Sequence, residues 1–173
     1  MRIDNNLNII KAQSKMEKVM LDTNVFSRPL DDLLDKSVKL EAESSKKIFN
    51  FAHNKAVSIV TSEILFYEIS LIREKDKREV IFHLAKNVEN SIVMINSDTE
   101  KLADDLRTHI KNYADCLHIA SAALSGCVYL VTCDKELLRK SEKIESFLLN
   151  LDIRLHIVSP AKLVSIIGEQ NGN

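Results

Sequence analysis

Glycine and proline are nearly absent from this sequence, with three and two among 173 residues. So few breakers exclude a collagen-like or low-complexity chain. With 45% hydrophobic and 28% charged residues, the sequence reads as one folded domain of ordinary size. Net charge is almost absent too, because 24 Lys plus Arg stand against 25 Asp plus Glu and leave −1. No global positive field draws the chain onto nucleic acid or an anionic membrane, so any polyanion has to be held locally. Cysteine is scarce and odd in number. Cys116, Cys127 and Cys133 contain no C-x-x-C pair, which excludes a disulfide framework and a structural zinc site. They are expected to be small core residues of a protein in a reducing cytosol.

Long hydrophobic runs are missing as well. The N-terminus has scattered charges and no unbroken apolar region, unlike a signal peptide. The uncharged run from Cys116 to Cys133 has about the minimum length of a membrane span. However, His118, Ser121 and the Ser125-Gly126 stop divide it into a helix, a turn and the strand-like Val128-Tyr129-Leu130-Val131-Thr132. No membrane segment is predicted, and a cytoplasmic location is expected.

Short apolar runs alternate with helical patterns along the chain. Strands are predicted at 19–21, 56–60, 91–95, 127–132 and 153–158. Between them, Asn24 is the expected N-cap of a short helix to about Leu34. A longer helix over 38–53 follows, with Leu40, Ile48, Phe49, Phe51 and Ala52 as its apolar face. Thr61 or Ser62 caps a helix to about Arg73, and the next helix repeats Val80, Ile81, Leu84, Ala85 and Val88. Helices over 99–110, 114–124 and 135–141 and one from Pro160 complete the pattern. Apolar strands joined by helices pair in parallel, so the expected fold is a three-layer α/β/α sandwich with a mainly parallel sheet of about five strands. Residues 18–168 form the domain, 1–17 are either an N-terminal arm or a mis-assigned start, and 169–173 are a polar tail.

In such open sheets ligands bind beyond the carboxyl ends of the strands. Asp22 and Asp134 follow strands there, Glu68 interrupts an apolar helix, and Asp115 opens the Ala-rich one. Each also has a local explanation: a turn for Asp22, an N-cap for Asp134, a favourable helix dipole for Asp115. Glu68 needs partners in its apolar surroundings. Together, converging carboxylates repel one another by a few kcal/mol per close pair at an effective dielectric of about 20. A divalent cation offsets that repulsion, and an all-oxygen set suits Mg²⁺ or Mn²⁺ rather than a softer metal.

These residues resemble the motifs of the PIN-domain ribonuclease family. Val19-Met20-Leu21-Asp22-Thr23-Asn24 is similar to its first motif, and Thr61-Ser62-Glu63-Ile64-Leu65-Phe66-Tyr67-Glu68 to its second. Tyr113-Ala114-Asp115-Cys116-Leu117-His118-Ile119-Ala120-Ser121-Ala122 resembles the third, and Tyr129-Leu130-Val131-Thr132-Cys133-Asp134 the fourth. The resemblance implies an endoribonuclease dependent on Mg²⁺ or Mn²⁺, with one ion or two. Asp22, Glu68, Asp115 and Asp134 would be catalytic and would hold the metal, with Asn24 and Thr132 in support. RNA is the implied substrate. Toxins of VapBC-type pairs share this domain, and for such a toxin a small antitoxin would occlude the acidic cleft. Cys133 stands where the family often has Asn.

Other residues divide between readings. Glu63 is the alternative to Glu68 but sits in a first helical turn. His118, three residues after Asp115, either hydrogen-bonds it, reaches a substrate or is a satisfied interior group. Arg28 is the phosphate candidate nearest the first motif. The helix pair near 62–89 is either a homodimer surface or a cover for the sheet. The contrasting function is a catalytically silent PIN-like module that binds RNA or protein, against which the four intact carboxylates argue. The Asp-x-Asp of haloacid dehalogenase-like phosphatases fails because residue 24 is Asn, and a receiver domain lacks its acidic pair and later lysine.

Overall fold

In a computed structural model, which describes residues 16–171, five parallel strands form one sheet in the order β3-β2-β1-β4-β5. The chain runs through β1 (Lys18–Leu21), α1 (Thr23–Ser27), a 3-10 turn (Arg28–Leu30), α2 (Lys36–His53) and β2 (Ser58–Ser62). It continues with α3 (Glu63–Ser70), α4 (Lys75–Val88), β3 (Glu89–Val93), α5 (Ser97–Leu106), α6 (Tyr113–Leu124), β4 (Tyr129–Val131), α7 (Lys135–Leu149), β5 (His156–Val158) and α8 (Pro160–Asn171). The three-layer sandwich expected from the sequence is present, and its sheet is wholly parallel. The assignment of residues 1–15 to an arm or a false start lies outside the described residues. At the other end α8 continues to Asn171, past the boundary placed at 168.

Strand side chains alternate between two cores. Met20, Val60, Leu130 and Ile157 face one layer, in which Leu102 and Leu106 of α5, Ile119 and Ala120 of α6, and Leu137, Ile144 and Leu148 of α7 pack. Val19, Leu21, Ile59 and Val131 face the other, filled by Phe26 of α1, Ile48 and Phe49 of α2, Ile81 and Ala85 of α4, and Leu163 of α8. α3 contributes Ile64 to the first core and Leu65 and Ile69 to the second. Burial of each large apolar side chain among these contributes about 1.5–3 kcal/mol and holds the layers together. All three cysteines are buried and unpaired by disulfides. Gly126, at φ 71°, takes the left-handed conformation that ends α6 and turns the chain into β4. No described helix is long and apolar enough to cross a membrane.

Several elements differ from the pattern-based reading. Asp22, not Asn24, is the N-cap of α1, and the helix stops at Ser27 because the 3-10 turn at Arg28-Pro29-Leu30 follows. Leu40 is 56% exposed, since the buried face of α2 instead runs through Ala42, Ser45, Ile48 and Phe49. Val80 faces solvent for the same reason on α4, where Ile81 and Ala85 are buried. α7 extends to Leu149 because Ile144 and Leu148 continue the stripe begun by Leu137. β3 starts at Glu89, earlier than expected. It is a polar edge strand with a register shift, where the Asn90 side-chain carbonyl accepts from the Ile59 N–H at 2.8 Å.

Candidate active site

The strand order reverses direction at β1. The chain steps outward from β1 to β2 and β3, then returns to β4 on the other side, which opens a crevice beyond the carboxyl ends of β1 and β4. Asp22 stands at that point, one residue after β1 and 7% exposed. Its backbone N–H still bonds Val131 across the sheet at 2.9 Å, so the main chain fixes the carboxylate. Asn24 Nδ2 and the Thr132 hydroxyl both donate to Asp22 Oδ2, each at 2.6 Å. Asn24 Oδ1 accepts from the Cys133 N–H at 2.8 Å, and Thr132 Oγ1 accepts from the Asp134 N–H at 3.0 Å. The loop after β4 is thereby tied to the start of α1.

Glu68, near the end of α3, is the second acid of the site. The Thr23 hydroxyl donates to its Oε2, and His118 Nε2 lies 2.9 Å from the same oxygen. His118 Nε2 also lies 3.7 Å from Asp22 Oδ1. One ligand atom each from Asp22, Glu68 and His118 falls within 4.8 Å of the others, a group able to hold a metal ion. Burial pushes Glu68 up, but the hydrogen bond and charge of His118 and the Thr23 hydroxyl outweigh it and hold the carboxyl below its ordinary value. Burial in turn lowers the imidazole, and the bond to Glu68 with the charges of Asp22, Glu68 and Asp115 raises it above its ordinary value.

Asp115, in the first turn of α6, lines the same cleft. No hydrogen-bond donor reaches it among the described residues. Burial, then the neighbouring charges of Asp22 and Asp134, push its carboxyl up to about 6, with His118 opposing. Asp134 caps α7, its Oδ1 accepting from the N–H groups of Glu136 and Leu137 at 2.7 and 3.0 Å. It faces Asp115 across a smaller depression that both residues line.

Of the four acids singled out in the sequence, Asp22, Glu68 and Asp115 therefore line one cleft, the first two in ligand-atom proximity, and Asp134 lines the adjoining depression that Asp115 shares. Glu63 is not among them. It is exposed in the first turn of α3 and accepts from the Ile95 N–H. Arg28 is turned away from the phosphate role considered for it, since Glu41 at 2.9 Å and Asp31 at 3.1 Å hold its guanidinium. His118 bonds Glu68 rather than its helical neighbour Asp115. Thr23 had no expected role. Its only sequence signal was its place beside Asp22, and its partner lies 45 residues away.

The donor set fits a hard divalent cation. Hydrogen bonds occupy one oxygen of Asp22, Glu68 and Asp134, while Asp22 Oδ1, Glu68 Oε1, Asp134 Oδ2 and both oxygens of Asp115 accept none among the described residues. Oriented, hydrogen-bonded carboxylates with free second oxygens are how proteins present ligands to such ions. Burial first, and then the repulsion of Asp22 and Asp134, raise the Asp115 pKa, and a cation would relieve the second of these. No curated protein matches the chain. The family match is clear, however: residues 19–143 fit the PIN domain, from β1 into α7 and across Asp22, Glu68, Asp115 and Asp134. On that match and this fold, the chain belongs to the PIN domain family, a family of nuclease domains.

Proposed function

We propose that this protein is an endoribonuclease that hydrolyses RNA phosphodiesters with Mg²⁺ or Mn²⁺ held by Asp22, Glu68, Asp115 and Asp134. The observation that carries the reading is the convergence of these four acids from four separate segments, three lining one cleft and Asp134 the depression joined to it at Asp115, each with a free oxygen unclaimed. A bound ion would neutralise the carboxylates, activate a water and counter charge on the phosphate oxygens. Asn24 and Thr132 fix the orientation of Asp22 through Oδ2 and leave Oδ1 toward the cleft. Thr23 and His118 do the same for Glu68 through Oε2. The larger cleft, of about 660 Å³, has room for a nucleotide beside these groups.

A silent binding module needs none of this alignment. The test is cleavage of single-stranded and structured RNAs by the purified chain with Mn²⁺ or Mg²⁺, set against EDTA and against identically prepared Asp22→Asn and Asp115→Asn proteins. Metal-dependent cutting should fall about 10³-fold in Asp22→Asn, because removing a charged ligand forfeits several kcal/mol of transition-state stabilisation. Cutting that survives both substitutions, or none with any RNA, overturns the reading. Whether the nuclease acts as a toxin restrained by a small antitoxin is a finer question. Co-purification with a small partner that suppresses cleavage would answer it.

A further inference from the structure

Asp115 lines two depressions at once. One is the larger cleft, walled by Glu68, Ile72, Arg73 and Lys77. The other, of about 120 Å³, is walled by Lys111, Asn112, Asp134 and Lys140. A ligand that fills both must pass over the acidic site. Each depression contains two cations, and in each one is already neutralised. Lys77 is bound to Asp31 at 2.8 Å, and Lys140 to Glu136 at 2.6 Å. Arg73 and Lys111 are exposed and make no hydrogen bond or ion pair among the described residues. In a protein of net charge −1 whose crevice collects carboxylates, these two unpaired cations are where a polyanion can be held.

A third residue stands beside Lys111. Tyr113 opens α6 two positions before Asp115 and is 37% exposed, with the Arg107 guanidinium 5.7 Å from its ring centroid. Asp104 and Glu100 also lie near it and discourage a phosphate there, which leaves the ring suited to a base rather than to the backbone. Exposed aromatics flanked by cations are how proteins bind single strands, because every unpaired base offers a face for stacking. Asp22 and His118, at 7% and 1% exposure, lie too deep for a phosphate that does not descend into the cleft.

Resting on the nuclease reading above, we propose that Arg73, Lys111 and Tyr113 form a track for single-stranded RNA. Its phosphates bind Arg73 on one side of the acidic site and Lys111 on the other, and a base stacks on Tyr113. The test is fluorescence anisotropy of a labelled single-stranded oligouridylate of about twelve nucleotides, titrated with the full-length Asp22→Asn protein at several salt concentrations. Arg73→Gln and Lys111→Gln should each weaken binding and each reduce the slope of log affinity against log salt by about 0.7. Tyr113→Ala should weaken binding about 5- to 100-fold, and Tyr113→Phe should retain it. A duplex of the same length should bind more weakly, and Lys162→Gln on α8 should change nothing.

Unchanged affinity and slope in both glutamine variants, no detectable binding, or a duplex bound as tightly as the strand would overturn the track. The two readings fail separately. A protein that binds through these residues yet leaves every RNA uncut keeps the track and loses the nuclease. One that cuts but binds equally well without them does the reverse.

Discussion

The two walls of the crevice are built on opposite terms. On the β1 side Asp22 Oδ2 is fully engaged, with Asn24, Thr132 and the Cys133 and Asp134 backbone forming a closed set of hydrogen bonds. On the α6 side Asp115 has no donor and carries a carboxyl pushed up to about 6. The first wall is a satisfied network that fixes geometry, and the second is an electrostatic debt left open in the free protein. A functional site needs both, since precise placement demands satisfied groups and affinity for a cation demands unsatisfied charge.

Removing the histidine that α6 places between the two walls should cost most. His118 is buried between Asp22 and Glu68, and His118→Ala removes its volume and strands the Glu68 charge. Losing one partner of a buried pair costs about 3–5 kcal/mol, reduced here because Glu68 is partly exposed. Urea denaturation should therefore show a midpoint far below that of the parent with an unchanged slope. Thr132→Val removes one donor to Asp22 and the acceptor for the Asp134 N–H. It should lower stability by about 1–3 kcal/mol and weaken Mn²⁺ binding about 10- to 100-fold, which calorimetric titration reads directly.

Relieving the open side should have the opposite sign and the smallest size. Because the folded state raises the Asp115 pKa from its ordinary value of 3.8 to about 6, the native protein binds a proton more readily than the unfolded chain between those values. Its ionised carboxylate thus destabilises the fold at pH values above about 6, and the penalty vanishes as pH falls toward 4. Asp115→Asn should raise the melting temperature of the EDTA-treated protein at pH 8 by about 2–4 °C, corresponding to about 1 kcal/mol after allowance for solvent screening. The gain should shrink as pH falls from 6 to 4. A melting temperature that drops in Asp115→Asn would remove the contrast between the walls.

The sequence displayed the layers more clearly than the site. Runs such as Val19-Met20-Leu21 and Tyr129-Leu130-Val131 are buried on both faces, so their composition alone marks them as central parallel strands. β3 was displaced because Glu89, Asn90 and Ser91 occupy an edge, where burial no longer selects apolar residues. Leu40 and Val80 misled because a helix face is set by what it packs on, and periodicity allows a neighbouring stripe. Among the site residues, the acids could be read from their positions at strand ends and within an apolar helix. The contacts that orient them could not. Thr23 and His118 meet Glu68 from 45 and 50 residues away, and Arg28 is drawn off by Glu41 on another helix.

The irregular edge of the sheet has a consequence of its own. A parallel sheet ends in a row of backbone groups open to pairing with any other extended chain, the geometry from which aggregates grow. β3 pairs with β2 through a register shift beside Asn90, and the strand carries Glu89, Asn90 and Ser91 where an aggregating segment would be apolar. The strand least like the others in composition thus guards one of the two edges of the sheet, the short β5 forming the other.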